Sequence, residues 1–429
     1  MQRLNIMRNF FFKKRNQGFI RFWLAQLISQ FGDRVNQMAL VGLVALKHAG
    51  NPASPVELAK LLSFTIIPVF IIGPIAGVYV DRWDRRTTLF VCDFLRGLIV
   101  LCIAFSLMDM RSMAPMYVTV FLVFCLSRFY VPAKMSFIPD IVDEHDLHIA
   151  NSLVSVTGMI AFVLGALLGG LIVEWHGPQG GFIWGACTFF VSGFLVFSIS
   201  RLGGMHLSKN KMISAGREMI KTIKKTVFEE IKEGIDYIAG HKEILFIIYV
   251  MTILFMAAGS VYVVIIVFIQ ETFKTVTKDL GYLAVALGVG LFWGSMAYAR
   301  WGKKVSRFQS IFFCLILGGI MMAFFAFVVG VTQNRWVGMG LAAILGFVVG
   351  PIVIASNTIV HYVCSEKMRG KVFASLEFVM HLAFLVSMVA SSFLSKHVGR
   401  MWILIGIGIV FCVVGLVGLL KYRDIKDVV

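Results

Sequence analysis

Gly77-Val-Tyr-Val-Asp81-Arg82-Trp83-Asp84-Arg85-Arg86 and, about 218 residues later, Ser295-Met-Ala-Tyr-Ala299-Arg300-Trp301-Gly302-Lys303-Lys304 are two versions of one pattern. In each, an apolar turn leads into a Trp and a run of basic residues; the acid Asp81 of the first becomes Ala299 in the second. Each closes an apolar run of about 20 residues, the length that crosses a hydrocarbon layer of roughly 30 Å at about 1.5 Å rise per residue. A pattern repeated with its apolar run implies a duplicated membrane domain, the arrangement of secondary transporters.

Working outward, the same rhythm recurs twelve times, at 18–47, 56–80, 87–110, 113–138, 147–175, 180–202, 244–271, 280–299, 308–331, 335–363, 372–396 and 401–421. The expected fold is an all-α membrane protein of twelve transmembrane helices in two pseudo-symmetric six-helix bundles. The division is 1–202 with a cytoplasmic N-terminal tail, a linker over 203–243, and 244–429 with a cytoplasmic C-terminal tail. In the linker, Ile220, Ile223, Val227 and Ile231 recur at helical spacing among Lys221, Lys224, Lys225 and Lys232, which predicts an amphipathic helix on the cytoplasmic leaflet. Pro132 and Pro351 are expected to break the fourth and tenth spans, where neighbouring helices or water satisfy the freed backbone.

Composition agrees: 59% of residues are hydrophobic and 15% charged, with mean hydropathy +0.85. A net charge of +17 would suggest nucleic acid in a soluble chain, but its placement points elsewhere. About 28 of the 40 Lys and Arg fall in the two tails and the loops on one side, which puts both termini in the cytoplasm and excludes a nucleic-acid role. The seven Cys are scattered singly through apolar segments and read as small core residues. Asp33 interrupts the first apolar run, which is therefore not expected to be a cleaved signal peptide.

The stretch from Gly77 to Arg86 resembles the loop between helices two and three of the major facilitator superfamily, G-x-x-x-D-R-x-x-R-R, with Asp84 at the usual Gly position. The resemblance implies a cytoplasmic gate formed by Gly77, Asp81, Arg82, Arg85 and Arg86, whose charges bond a neighbouring helix end. Ser29-Gln30-Phe31-Gly32-Asp33 and Pro132-Ala-Lys134-Met-Ser-Phe-Ile-Pro139-Asp140 are similar to stretches of the macrolide-efflux and enterobactin-exporter branch, as are Glu233-Gly234-Ile235 and Arg369-Gly370-Lys371-Val372-Phe373. Pro132-Ala133-Lys134 also resembles the lysophospholipid transporter branch. Leu164-Gly165-Ala-Leu-Leu-Gly169-Gly170 keeps the glycines of the family's antiporter motif and lacks its Pro; the glycines still let backbones approach closely.

Ionisable residues inside a span are costly and point to function. Asp33, beside Arg34 and within a turn of Gln30 and Gln37, is expected to face a central cavity and take the coupling proton or a cationic substrate. The competing reading is a fixed ion pair with Arg34 or another basic residue. Arg128 is a candidate partner for Asp33 or an anchor for an anionic group. Glu377 and His381 share a face at i, i+4 and form a candidate proton relay, against solvation of the Glu and simple packing of the His. Asp93 and Arg96 are expected to join the Asp81 cluster at the gate, and Asn357 with Thr358 to line the cavity.

These readings converge on a secondary transporter of the inner membrane working by alternating access. It would be driven by protons or the membrane potential and would export an amphipathic small molecule of drug or siderophore type. The rivals are a lysophospholipid flippase and a transporter-like scaffold or sensor. A membrane enzyme would need a nucleophile, acid–base or metal cluster, and the sequence has neither HExxH nor GxSxG. No Walker A motif, cofactor or metal set is read; the expected partners are the small-molecule cargo, protons and the bilayer, and the chain is expected to act as a monomer.

Overall fold

A computed structural model describes residues 16–47, 54–80, 83–107, 113–199, 242–302, 306–363 and 366–421. These residues form α1 (Gln17–Lys47), α2 (Pro55–Ile71), α3 (Gly73–Val80), α4 (Arg85–Cys102), α5 (Ala114–Ile141) and α6 (Leu147–Phe197). There follow α7 (Lys242–Phe273), α8 (Lys278–Trp301), α9 (Arg307–Thr332), α10 (Arg335–Val363), α11 (Glu366–Leu394) and α12 (Arg400–Lys421). Nine helices among the described residues are long and apolar enough to cross a bilayer. One of them contains α6, which folds into two limbs at Gly177, where φ 69° and ψ 176° suit a residue without Cβ and Pro178 restarts the helix. With α2 and α3 taken as one span and α6 as two, the described helices lay out the expected twelve. The linker helix expected over 203–243 falls almost wholly outside the described residues.

Contacts between backbones divide the chain into two compact units, Met1–Leu43 with Phe64–Thr226, and Val44–Ser63 with Val227–Val429. The two units pair their helices in the same order. In unit 1 the first span packs on the fifth (α1 on the first limb of α6), the second on the fourth (α3 on α5) and the third on the sixth (α4 on the second limb of α6). In unit 2, α7 packs on α11, α8 on α10 and α9 on α12. The duplication legible in two short motifs is therefore also a duplication of packing.

Glycine makes these pairings possible, because apolar lipid offers helices no hydrophobic reason to associate and close van der Waals contact must supply it. A Cβ on Gly165 would stand 2.7 Å from Arg34 Cβ, and one on Gly169 would stand 2.9 Å from Val35 Cα. The glycines kept from the antiporter motif thus seat the first limb of α6 directly on α1, behind Asp33. Outward-facing Trp175, Trp301, Trp336 and Trp402 are exposed near helix ends, as expected of residues at the level of lipid headgroups.

Pro132 and Pro351 correct one expectation: each lies inside a continuous helix rather than at a break. Near Pro351 the neighbour absorbs the loss. The carbonyl four residues back, on Phe347, is pressed against Gly294 of α8, and Ser295 Oγ donates to Gly350 O at 3.3 Å. Replacing Gly169 by Leu should destabilise unit 1 by about 1–3 kcal/mol through overpacking against the Val35 backbone. It should be read as a lower thermal midpoint in detergent, while Gly340→Leu, with open space around its Cα, should leave the midpoint unchanged.

Candidate functional site

In unit 1 the third span carries its charges on its inner face. The buried residues of α4 include Leu89, Cys92, Asp93, Arg96 and Gly97, so the i, i+3 pair Asp93 and Arg96 points into the bundle. The Asp93 side chain is 0% exposed and that of Arg96 1%. The two form an ion pair, and the other helices complete it. From α1, Ser29 Oγ donates to Asp93 Oδ1 at 3.1 Å, and from the second limb of α6, Ser192 Oγ donates to Asp93 Oδ2 at 2.6 Å. Arg96 donates to Ser29 Oγ at 3.2 Å and to Ser127 Oγ of α5 at 3.3 Å. Its guanidinium lies 4.6 Å from the ring centre of Tyr130 and 4.5 Å from that of Phe189, stacking that is worth about 2 kcal/mol when desolvated.

Asp33 joins this cluster from α1. Arg96 donates to its Oδ1 at 3.2 Å, yet the Asp33 side chain remains 40% exposed. The ion pair weighed from sequence is present, with Arg96 as the partner rather than Arg34 or Arg128. Arg34 turns away, donating to Gln37 Oε1 at 2.7 Å with its guanidinium 4.1 Å from the ring centre of Phe162. Gln30 lies against Gly158 on the first limb of α6. Lys134 of α5 is half-buried and acts on Asp33 through space. Asp33, Asn36 and Gln37, at i, i+3 and i+4, line one narrow cleft whose walls include Phe124, Phe182 and Phe189.

The gate residues are partly described. Gly77 lies in α3, and Asp81 and Arg82 lie outside the described residues. Arg85 donates to Asp140 Oδ1 at 2.7 Å and to Ser136 O at 3.0 Å. Arg86 donates to the carbonyls of Val196 and Phe197 and stacks on the Phe197 ring, while Arg21 donates to Ser198 O at 2.8 Å. These cations cover the carbonyl ends of α5 and α6, where the helix dipole favours them. Asp84 caps α4 by accepting from Thr87 N at 2.6 Å, which explains an acid where Gly was expected. Asp93 and Arg96 do not join this group. Seven residues along α4 from Arg86, Asp93 sits about 10 Å deeper at 1.5 Å per residue, and its bonds run to Ser29, Ser192 and Arg96 instead.

In unit 2, Glu377 and His381 share a face but not a side-chain bond: His381 Nδ1–H donates to the Glu377 carbonyl at 2.8 Å, and the Glu377 side chain is exposed. The side chains of Asn357 and Thr358 lie outside the described residues. The ion pairs of this unit among the described residues, Lys60 with Glu57 at 2.7 Å, Arg400 with Glu271 at 2.9 Å and Arg335 with Asp279 at 3.8 Å, sit near helix ends. Among the described residues, the ion cluster away from helix ends lies in unit 1. Sequence reading missed Ser29, Asn36, Ser127 and Ser192 there. Asn36 carried a signal, its i+3 spacing from Asp33, and Ser29 another, as the first residue of the exporter-like stretch; Ser127 and Ser192 carried none, being indistinguishable from the small packing residues common in membrane helices.

Twelve spans paired in duplicate, with an ion cluster inside unit 1, are the architecture of a membrane transporter of the major facilitator superfamily. The model for the transmembrane secretion effector family matches residues 11–423, and the chain belongs to that family. It is 26% identical to the MFS-type transporter YkuC of Bacillus subtilis (strain 168), over 83% of this chain and 81% of that one. It is 25% identical to the multidrug efflux pump Tap of Mycolicibacterium fortuitum, over 81% of this chain and 82% of the pump. In fold it is similar to a bacterial homologue of the iron transporter ferroportin in its inward-facing state, with TM-score 0.73 at 14% identity, covering 96% of this chain and all of that one.

The two acids should respond differently to removal. Asp93→Ala leaves the buried guanidinium with only the half-exposed Asp33 as counter-ion and takes the acceptor from Ser29 and Ser192, and should cost about 3–5 kcal/mol. Asp33→Asn, at a half-exposed partner, should cost about 0–1 kcal/mol. Thermal midpoints of the purified variants measure the difference, and the double variant Asp93→Leu/Arg96→Met should recover most of the loss from Asp93→Ala.

Proposed function

We propose that this protein exports an amphipathic small molecule across the inner membrane by alternating access, driven by protons or the membrane potential, with Asp33 as the residue that takes the coupling cation or a cationic cargo. The observation that carries the reading is the unequal burial of two acids sharing one arginine. Asp93 is sealed and 0% exposed, whereas Asp33 is 40% exposed on the same guanidinium. When Asp33 is neutralised, Arg96 keeps Asp93 as its counter-ion, so no buried charge is stranded. A group that can lose its charge in a membrane at small cost is what a coupling site requires.

The relationship to a multidrug efflux pump supports outward transport of drug-like compounds, and the exporter-like stretch at Ser29–Asp33 lies on the residues that build the cluster. The lysophospholipid alternative draws on Lys134, which is half-buried and feels the charge of Asp33 through space; that attraction leaves the ammonium less free for a lipid phosphate. In this reading both termini are cytoplasmic and one chain suffices. Arg85 and Arg86 form the gate with Asp81 and Arg82, while Arg128, Asn357, Glu377 and His381 are secondary candidates for cargo contact.

The test is efflux of a fluorescent lipophilic cation from cells carrying the protein. Asp33→Asn should reduce the rate at least tenfold while the variant inserts and purifies normally. An unchanged rate with unchanged pH dependence would remove Asp33 from the mechanism, and uptake of labelled lysolipid without efflux of any drug would replace the exporter by the flippase.

A further inference from the structure

Among the described residues of unit 1, Asn36 is buried, 8% exposed, with neither its Oδ1 nor its Nδ2 hydrogen-bonded. A buried polar group left in that condition costs about 1–3 kcal/mol, so its persistence calls for a reason. The site is shaped for it: a Cβ on Gly185 of the second limb of α6 would fall on the Asn36 carboxamide, so the glycine makes its room. Asn36 lines the same cleft as Asp33 and Gln37.

The cleft limits the guest. Its free volume is about 20 Å³, and a water molecule needs roughly 10–15 Å³ on the same measure. An organic cargo does not fit; one water-sized guest does. The donor set limits it further. Asp33 offers the carboxylate oxygen that Arg96 does not engage, and Asn36 offers a carboxamide oxygen, both hard and together carrying one negative charge. Nitrogen and sulfur ligands, which transition metals favour, are absent from the lining, and divalent hard cations favour several carboxylates. The charge count agrees. Arg96 is shared by Asp33 and Asp93, which leaves one negative charge in the bonded cluster. Lys134 acts on it only through space. The apolar and aromatic walls, with Phe124, Phe182 and Phe189 among them, strengthen any such attraction by excluding water.

We propose that this cleft, enclosed by α1, α4, α5 and the second limb of α6, binds one sodium-sized monovalent cation through Asp33 and Asn36. The proposal deepens the reading of Asp33 given above by naming the ion, and shares that residue with it. The cation completes the neutrality of the cluster, supplies the partner that Asn36 lacks, and links occupancy of the cleft to the charge on Asp33. Lys134 competes for the same acid from α5.

The experiment is a thermal-shift titration of the purified full chain with sodium chloride, ionic strength being held constant with choline chloride. Sodium should raise the midpoint with dose, as binding to the folded state requires, and potassium should do so weakly. Asp33→Asn and Asn36→Leu should abolish the response, Asn36→Leu while keeping or raising the midpoint in choline, since it replaces an unbonded amide by an apolar side chain. Lys134→Met should move the response to several-fold lower sodium. Equal midpoints in sodium, potassium and choline overturn the site, as does an undiminished sodium response in Asn36→Leu. Binding of radioactive sodium to the wild-type protein, displaced by sodium chloride and not by choline chloride, is expected whether or not a variant folds; its absence is equally fatal. Efflux that proceeds in choline medium and is lost in Asp33→Asn defeats the sodium site while sparing the exporter. Sodium binding in a protein whose Asp33→Asn variant exports at the wild-type rate defeats the role of Asp33 in export while sparing the site.

Discussion

A guanidinium placed inside a helical bundle, away from water, must find its counter-charge on the helices around it. Arg96 meets that demand twice over, with Asp93 one turn back on its own helix and Asp33 across on α1. Much of the local architecture of unit 1 follows. Ser29 and Ser192 satisfy the oxygens of Asp93, Ser127 takes a further donor of Arg96, and the rings of Tyr130 and Phe189 lie against its guanidinium. Four helices are tied to one cation. The tie is asymmetric, because Asp93 is sealed while Asp33, on the same guanidinium, reaches solvent.

Close backbone approach is the second condition. Ion pairs of this kind form only if the helices carrying them sit near one another, and in lipid that depends on small residues at the contact. Gly165 and Gly169 bring the first limb of α6 against Arg34 and Val35, which directs the α1 stripe of Asp33, Asn36 and Gln37 toward the other side, into the cleft. In unit 2 the same use of glycine joins α8 to α10 and α9 to α12, but there the described ion pairs sit near helix ends. The two units share a packing plan and differ in what they enclose.

The gate motif shows the limit of reading charges by proximity along the chain. Asp93 and Arg96 lie close in sequence to Arg85 and Arg86, and one network for all four was the natural expectation. Helical rise separates them: Arg85 and Arg86 end up on the carbonyl termini of α5 and α6, while Asp93 and Arg96 sit two turns deeper among other helices. Glu377 and His381 make the same point, since a shared helix face allowed a side-chain pair and the His ring instead bonds backbone. Pro132 and Pro351 are a third case, because a proline reads as a break until a neighbouring helix is seen to absorb the lost bond.

What the sequence determined by itself was everything governed by local pattern: the twelve spans, from the length and polarity of apolar runs; the duplication, from the repeated motif; and Asp33 as a charge set inside the first apolar run. What only the tertiary structure decided was pairing. Which arginine meets Asp33, which serines close around Asp93, and which glycine makes room for Asn36 all depend on helix rotation and on contacts between residues tens to more than a hundred positions apart. Apolar spacing leaves those free, because lipid rewards every apolar face alike and only the buried charges tell one rotation of a membrane helix from another.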